Sequence, residues 1–201
     1  MNSTLELVED VVLAAASSLQ KSLGSYWPTC GEQGAHERNI SLHVAHAFLN
    51  KGYATFGESH GHDDNADERF DLVAIPPARD HVVACEFKQL YKRAMAVGML
   101  ADFERLREFK PLRELGKVPV IGVIAAFATQ EKFAVPFDKD GQRDGLVPPC
   151  DLTQQFCQKL PQSRRLDCVR LFAKEQVARK KPAFVYAVFE IASGSAVPSR
   201  S

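Results

Sequence analysis

Four charged residues stand where apolar ones would be expected. In HVVACEFKQLY (81–91) a greasy run carries Glu86 and Lys88. Strand alternation puts Val82, Ala84, Glu86 and Lys88 on one face, with Val83, Cys85 and Phe87 on the other. In RFDLVAI (69–75) the same alternation groups Asp71 with Val73 and Ile75. In HERNISLHVAHAFL, helical spacing aligns Glu37 with Ile40, Val44 and Phe48, the stripe expected to face a sheet. A buried, unpaired carboxylate is costly, so each acid calls for a cation, a hydrogen-bond network or a proton. Two adjacent carboxylates repel, and a divalent metal between them relieves that repulsion. A nearby ammonium can lower the pKa of a water, hold it in line, or stabilise charge on a phosphoryl group. Taken singly, each residue has a plainer explanation. Glu86 and Lys88 make an ordinary ion pair, Asp71 a strand-end acid, and Glu37 a first-turn acid favoured by the helix dipole. Their joint order is far more specific than any one of them.

The elements that must position these residues can be read from periodicity and punctuation. Residues 4–23 predict an amphipathic helix through Leu5, Val8, Val12, Ala15 and Leu19, ended by Gly24 and Pro28. A second helix is expected over 33–51, closed by Gly52. Short strands follow at 53–57, 69–75 and 82–88, with Pro76 and Pro77 stopping the second. Residues 91–110 predict a helix whose core stripe is Met95, Met99, Phe103, Leu106 and Phe109. VPVIGVIAAFA (118–128) is a strand-type run apolar on both faces. After a long loop with Gly141, Gly145, Pro148 and Pro149, one or two basic helices are expected over 151–180, then a strand, AFVYAVFEI. The tail SGSAVPSRS reads as disordered. The order implies an α/β sandwich around a mixed sheet, in one domain spanning 1–201.

Bulk properties narrow the class. The 201 residues are 45% hydrophobic and 25% charged, as in ordinary globular proteins. Five cysteines, an odd and scattered set with no C-x-x-C, argue against a disulfide framework or thiolate zinc site and favour a reducing cytoplasm. The apolar run VVLAAASSL follows Glu6, Glu9 and Asp10, the wrong sign for a signal peptide. No apolar stretch approaches the roughly 20 residues that span a bilayer, so no membrane partner is expected. Charge is balanced overall but uneven along the chain. Residues 1–88 hold 6 Lys/Arg against 13 Asp/Glu, net −7; residues 89–150 hold 10 against 8, net +2; residues 151–201 hold 9 against 4, net +5. An acidic part that could hold cations and a basic part that could hold phosphates would suit a nuclease; simple scatter of charge is the plainer explanation.

Other residues invite chemistry less strongly. His36, His43 and His46 lie at helical spacing but read better as surface or packing histidines. His60, His62, Asp63 and Asp64 read as a solvated loop, and Cys85, on the face opposite Glu86, as a core residue. Lys92 and Arg93 follow the E-x-K strand closely enough to meet a phosphate. Arg164, Arg165, Arg170, Lys174, Arg179, Lys180 and Lys181 offer a second contact surface, or else a solvated helix face. Walker-type glycine loops, G-x-S-x-G elbows and zinc-finger spacings are absent from the sequence.

Glu37, the segment RFD ending at Asp71, and CEFK with Glu86 and Lys88 together resemble the motif set of the PD-(D/E)XK nuclease superfamily, the restriction-endonuclease-like proteins. The resemblance covers about residues 33–128 and implies an αβββαβ core, with 129–191 an elaboration and 192–201 a tail. It implies a magnesium-dependent phosphodiesterase, with manganese able to substitute and DNA as the expected substrate. Asp71 and Glu86 would hold the metal with the Phe87 carbonyl, Lys88 would position or activate the attacking water, and Glu37 would match the helix glutamate that some branches place at or near the metal. The proline usual before the aspartate is Phe70 here, and Gln89 and Tyr91 only loosely match the glutamine–tyrosine signature of one branch, so no branch is assigned. Many members act as homodimers, for which this sequence carries no signal. The alternative is a catalytically inactive nuclease fold serving as a nucleic-acid-binding or protein-interaction module.

Overall fold

VIGVIAAFA offers no polar group to water on either face, and it forms β4 (Val120–Ala128), a strand buried along its whole length. On one side β3 (Val82–Leu90) runs parallel to it, from Val82 opposite Val120 to Leu90 opposite Ala128. On the other side the second apolar run, β6 (Ala183–Ile191), pairs antiparallel. With β1 (Ala54–His60), β2 (Arg69–Ile75) and β5 (Arg165–Arg170) they make a six-stranded sheet of order β1-β2-β3-β4-β6-β5. Every pair but β3/β4 is antiparallel. A parallel pair needs a long crossover, and α3 (Arg93–Arg107) supplies it. The computed structural model describes residues 2–26, 37–60, 69–109, 118–138, 148–171 and 182–191.

Helices cover both faces of the sheet. α1 (Asn2–Tyr26) and α2 (Glu37–Asn50) present Val8, Val12, Leu19, Ile40, Val44 and Phe48 to Leu72, Val83, Cys85, Phe87, Val123 and Tyr186. The opposite face is covered by α3, α4 (Glu131–Ala134), a 3-10 turn over Val135–Phe137, and α5 (Asp151–Lys159). Here Met99, Phe103, Phe133 and Phe156 pack on Ala84, Ile124 and Phe189. The fold is therefore a mixed α/β arrangement, a six-stranded mixed sheet between two helical layers. α1 is tied to the far edge of the sheet by polar contacts as well. The Tyr186 hydroxyl donates to Glu9 Oε1 at 2.9 Å, Arg165 donates to Glu6 Oε1 at 2.6 Å, and Gln20 Nε2 donates to the Arg170 carbonyl at 3.3 Å. Burial, and then Glu9, push the Tyr186 phenol well above its ordinary pKa. Among the described residues no helix is long and apolar enough to cross a membrane.

The expectation of basic helices across 151–180 is corrected. Among the described residues of that stretch, Asp151–Lys159 is helical and Arg165–Arg170 is β5, paired with β6; residues 172–180 lie outside the described residues. RLDCVR has a period of two beneath its arginines: Leu166 and Cys168 pack toward the α3 side, Val169 toward the α1 side. The open edge of β6 then decides in favour of a strand, since pairing satisfies the backbone of both. His36, His62, Asp63, Asp64, Lys174, Arg179, Lys180, Lys181 and the tail 192–201 lie outside the described residues.

Gly122 marks the tightest packing in β4. A Cβ there would lie 2.6 Å from Phe189 Cε2 and 2.7 Å from Cζ, inside van der Waals contact. Because Phe189 is wholly buried against Phe103, its ring has little room to yield. Gly122→Ala is expected to cost about 1–3 kcal/mol of stability, as overpacking does. Thermal melts would show it, with Phe189→Leu restoring part of the loss in the double variant. An unchanged melting temperature would mean the core accommodates the methyl.

Candidate active site

β2 and β3 are laddered only at Leu72–Cys85, Val73–Ala84 and Ala74–Val83. Extending that register would set Asp71 opposite Glu86, and there the strands part. On the other side of β2, Glu58 takes a left-handed backbone (φ 51) and drops out of the ladder between Gly57–Leu72 and Ser59–Phe70. Side-chain alternation slips at the same place. Leu72 and Ala74 face the α1/α2 core, Val73 faces the α3 core, and Phe70 packs in the α3 core too. Asp71 sits at the slip. Its carboxylate bridges the fork, Oδ2 accepting the Phe87 N–H at 2.7 Å.

A strand residue's N–H and C=O project toward the same neighbour, so the Phe87 carbonyl opens into that fork as well. Gln89, two residues on, shares this unladdered edge, and Glu37 Oε1 accepts its N–H at 3.1 Å. Glu37 can reach because it opens α2 directly beside the end of β3, and its burial stripe Ile40–Val44–Phe48 fixes the helix against the sheet. Two carboxylates from other elements thus cap consecutive free amides of β3.

Glu86 and Lys88 point to the opposite face, toward α3. There they meet two residues that sequence reasoning missed, Asp102 and Arg105. Arg105 Nη2 hydrogen-bonds Glu86 Oε1 and also contacts Asp102 Oδ1 at 3.1 Å. Lys88 Nζ lies 2.8 Å from Asp102 Oδ2. The guanidinium also lies over the Phe70 ring, 5.6 Å from its centroid. Asp102 sits on the α3 stripe between Met99 and Leu106, an acid at a core position, and that was its available signal. Arg105, one helical turn on, had no comparable signal.

The electrostatics follow from burial. Glu86 is 1% exposed, and burial pushes its carboxyl up to about 8 although the Arg105 hydrogen bond pulls the other way. Burial acts to lower the Lys88 ammonium, but the Asp102 carboxylate paired with it outweighs this and the net shift is upward. Glu37 and Asp71 add to that rise, and Asp71 adds to that of Glu86, so Asp71 acts on both Glu86 and Lys88 while Glu37 acts on Lys88. Cys85, on the other face, is fully buried with its thiol pushed up, as a core residue should be.

An open cleft of about 610 Å³ lies at the end of β3, lined by Glu37, Arg38, Asn39, Gln89, Tyr91 and Met95. Its place outside the carboxyl end of a parallel strand is where α/β sheets commonly bind ligands. Gln89 is 7% exposed, and its buried Nε2 has no hydrogen-bond partner.

The remaining candidates are occupied otherwise. Arg93 forms a two-point pair with Asp151 at 2.5 and 2.9 Å, and Lys92 lies 5.3 Å over the Tyr91 ring. Arg164 donates to the carbonyls of Leu160 and Pro161, and Arg165 is the Glu6 partner already described. At Arg170 the backbone carbonyl, not the side chain, makes the Gln20 contact. His43 Nδ1 bonds Ser18 Oγ at 2.9 Å, and His46 Nδ1 bonds Asn50 at 3.3 Å. Asp80, His81 and Tyr53 form a hydrogen-bonded row at 2.7 and 3.0 Å, superficially like a nucleophile relay. Tyr53 is 4% exposed, and the row lies before β3 begins, at the opposite end from Lys88; it is a structural latch.

Donor type and charge around the fork and the adjoining α3 face suit a hard divalent cation: carboxylate and carbonyl oxygens, with Glu37, Asp71, Glu86 and Asp102 against Lys88 and Arg105, a residual −2 when all are ionised and −1 while Glu86 keeps its proton. Among the described residues, no three His, Cys, Asp or Glu side chains are already arranged as a cage for a metal ion. Glu86 is turned to Arg105 instead. Comparison of the chain with protein-family models, with curated proteins and with solved structures returned no match.

Proposed function

We propose that the protein is a divalent-cation-dependent phosphodiesterase, a nuclease of the PD-(D/E)XK kind, with DNA as its expected substrate. The observation that carries this reading is the Asp71 carboxylate on the Phe87 N–H at 2.7 Å, at the edge of the segment of β3 that carries Glu86 and Lys88. The element order α2-β1-β2-β3-α3-β4 is consistent with the αβββαβ core that the motif resemblance implies.

In this reading Asp71, Glu86 and the Phe87 carbonyl hold magnesium or manganese, with Glu37 at its margin. The cation supplies charge neutralisation and orientation of the scissile phosphate. Lys88 Nζ holds the attacking water and offers hydrogen bonds to the charge that develops on phosphorus-bound oxygens. Asp102 keeps that ammonium protonated and aimed. The cleft beside Glu37 and Gln89 takes the adjoining part of the strand, with Arg38 in its lining to meet a phosphate.

Supercoiled plasmid, single-stranded DNA and RNA incubated with EDTA, magnesium or manganese test this directly. Cleavage of at least one substrate is expected with either cation, lost with EDTA and lost in Asp71→Asn. Wild type that cleaves none of them under any cation would sink the enzyme reading. A second reading, a non-catalytic nucleic-acid-binding module on the same fold, is favoured by the pairing of Glu86 with Arg105 and Lys88 with Asp102 inside the protein. It predicts binding without cleavage, unaffected by Asp71→Asn.

A further inference from the structure

Arg105 makes an unusual partner for a buried acid. Both of its carboxylate contacts, to Glu86 Oε1 and Asp102 Oδ1, run through one nitrogen, Nη2. The two-pronged geometry that makes arginine–carboxylate pairs strong is absent, whereas Arg93 has it with Asp151. Arg105 Nε is buried without a hydrogen-bond partner. Its side chain is 33% exposed, so the guanidinium has a way out to water that Glu86 lacks. A purely structural ion pair at this depth would be expected to satisfy all its donors.

We propose that Arg105 is a displaceable counter-ion: it stands on Glu86 in the metal-free protein, and a divalent cation gains Glu86 by displacing the guanidinium, which stays tethered to Asp102. The proposal rests on the metal-centre reading of the fork. It explains why the acids there are not arranged as a ready cage, because one of them faces a built-in cation. It also explains the pairing with α3. Asp102 touches both cations of the site, Lys88 at 2.8 Å and Arg105 at 3.1 Å, so it can hold Arg105 after Glu86 is released without setting Lys88 free. Arg105 thereby sets the cation concentration at which the site fills. Asp102 is a positioning residue for both.

Manganese binding, read as loss of the free-ion EPR signal without nucleic acid, tests the exchange. Wild type is expected to bind manganese in an Asp71-dependent manner, and Arg105→Gln to bind it about tenfold tighter or more, the competing hydrogen bond being gone. Wild type provides a check that does not depend on the variant. Slow-exchanging guanidinium protons of Arg105, followed by NMR in EDTA, should broaden or exchange faster as magnesium is added. Unchanged manganese affinity in the variant, or Arg105 signals indifferent to bound magnesium, overturns the exchange while leaving the metal centre standing. If wild type binds neither cation, the metal-centre reading falls and the exchange with it.

Discussion

Lys88→Ala is expected to lower phosphodiester cleavage by about 100-fold or more while manganese binding persists or tightens. The ammonium lies 2.8 Å from Asp102 and its pKa is raised, so in the proposed reaction it would orient water and stabilise charge in the transition state. An interaction made mainly in the transition state shows in kcat with little change in KM. Removing a positive charge next to the carboxylates should favour the cation. The fold should survive, because Asp102 keeps its 3.1 Å contact with Arg105. Asp102→Asn leaves Lys88 in place but loosens its aim, and a smaller fall in kcat is expected. Steady-state kinetics on the three proteins would check this. A Lys88→Ala enzyme as fast as wild type would remove the lysine from the mechanism.

Glu86→Gln is expected to remove the pH dependence of stability that this group brings to the site. The folded carboxyl titrates at about 8, against an ordinary value of 4.5, because burial disfavours its charge. Between those values the folded state keeps a proton that the unfolded state has released. Wild-type stability from this group is therefore complete below about pH 4.5 and is lost progressively as pH rises through about 8. Glutamine is neutral throughout and can still accept from Arg105. The variant should match wild type near pH 4.5 and exceed it at pH 8.5, by an amount on the order of a few kcal/mol. Cation binding must release this proton as well as the Arg105 hydrogen bond, so the wild-type affinity for magnesium should strengthen as pH rises toward 8, and Glu86→Gln should bind none. Denaturant melts at both pH values with EDTA and with magnesium would decide. A purely structural Glu86–Arg105 pair predicts that Glu86→Gln destabilises at every pH and that magnesium changes nothing.

The parts of the fold that were legible in the sequence were those with local cause. β4 and β6 are written as apolar runs, α1 and α2 as stripes, and the three acids as polar interruptions of apolar faces. β5 was hidden, because its strand character comes from the open edge of β6 and RLDCVR is rich in arginine. Asp71 lies next to β3 with its carboxylate on the Phe87 N–H, but neither the slip in alternation there nor the left-handed backbone of Glu58 on β1 leaves a mark in periodicity. Arg105 was illegible for a related reason. An exposed-looking arginine in ERLREF carries no mark of the buried glutamate it meets, 19 residues earlier on β3. Contacts that cross elements are set by packing and register, which periodicity does not encode.

The straps between α1 and the far edge of the sheet have a consequence for how the chain is made. Glu9 meets Tyr186 across 177 residues, and Glu6 meets Arg165 across 159. A ribosome adding roughly 5–20 residues per second leaves α1 waiting about 10–35 s before the strand it docks on has emerged. Throughout that interval Val8, Val12 and Leu19 have no β6 to cover, and β4, complete far earlier, has one edge without its neighbour. Such long-range closure also makes folding slow once synthesis ends. The apolar stripe of α1 is therefore open to aggregation during that interval, and slower translation at low temperature lengthens the exposure rather than shortening it.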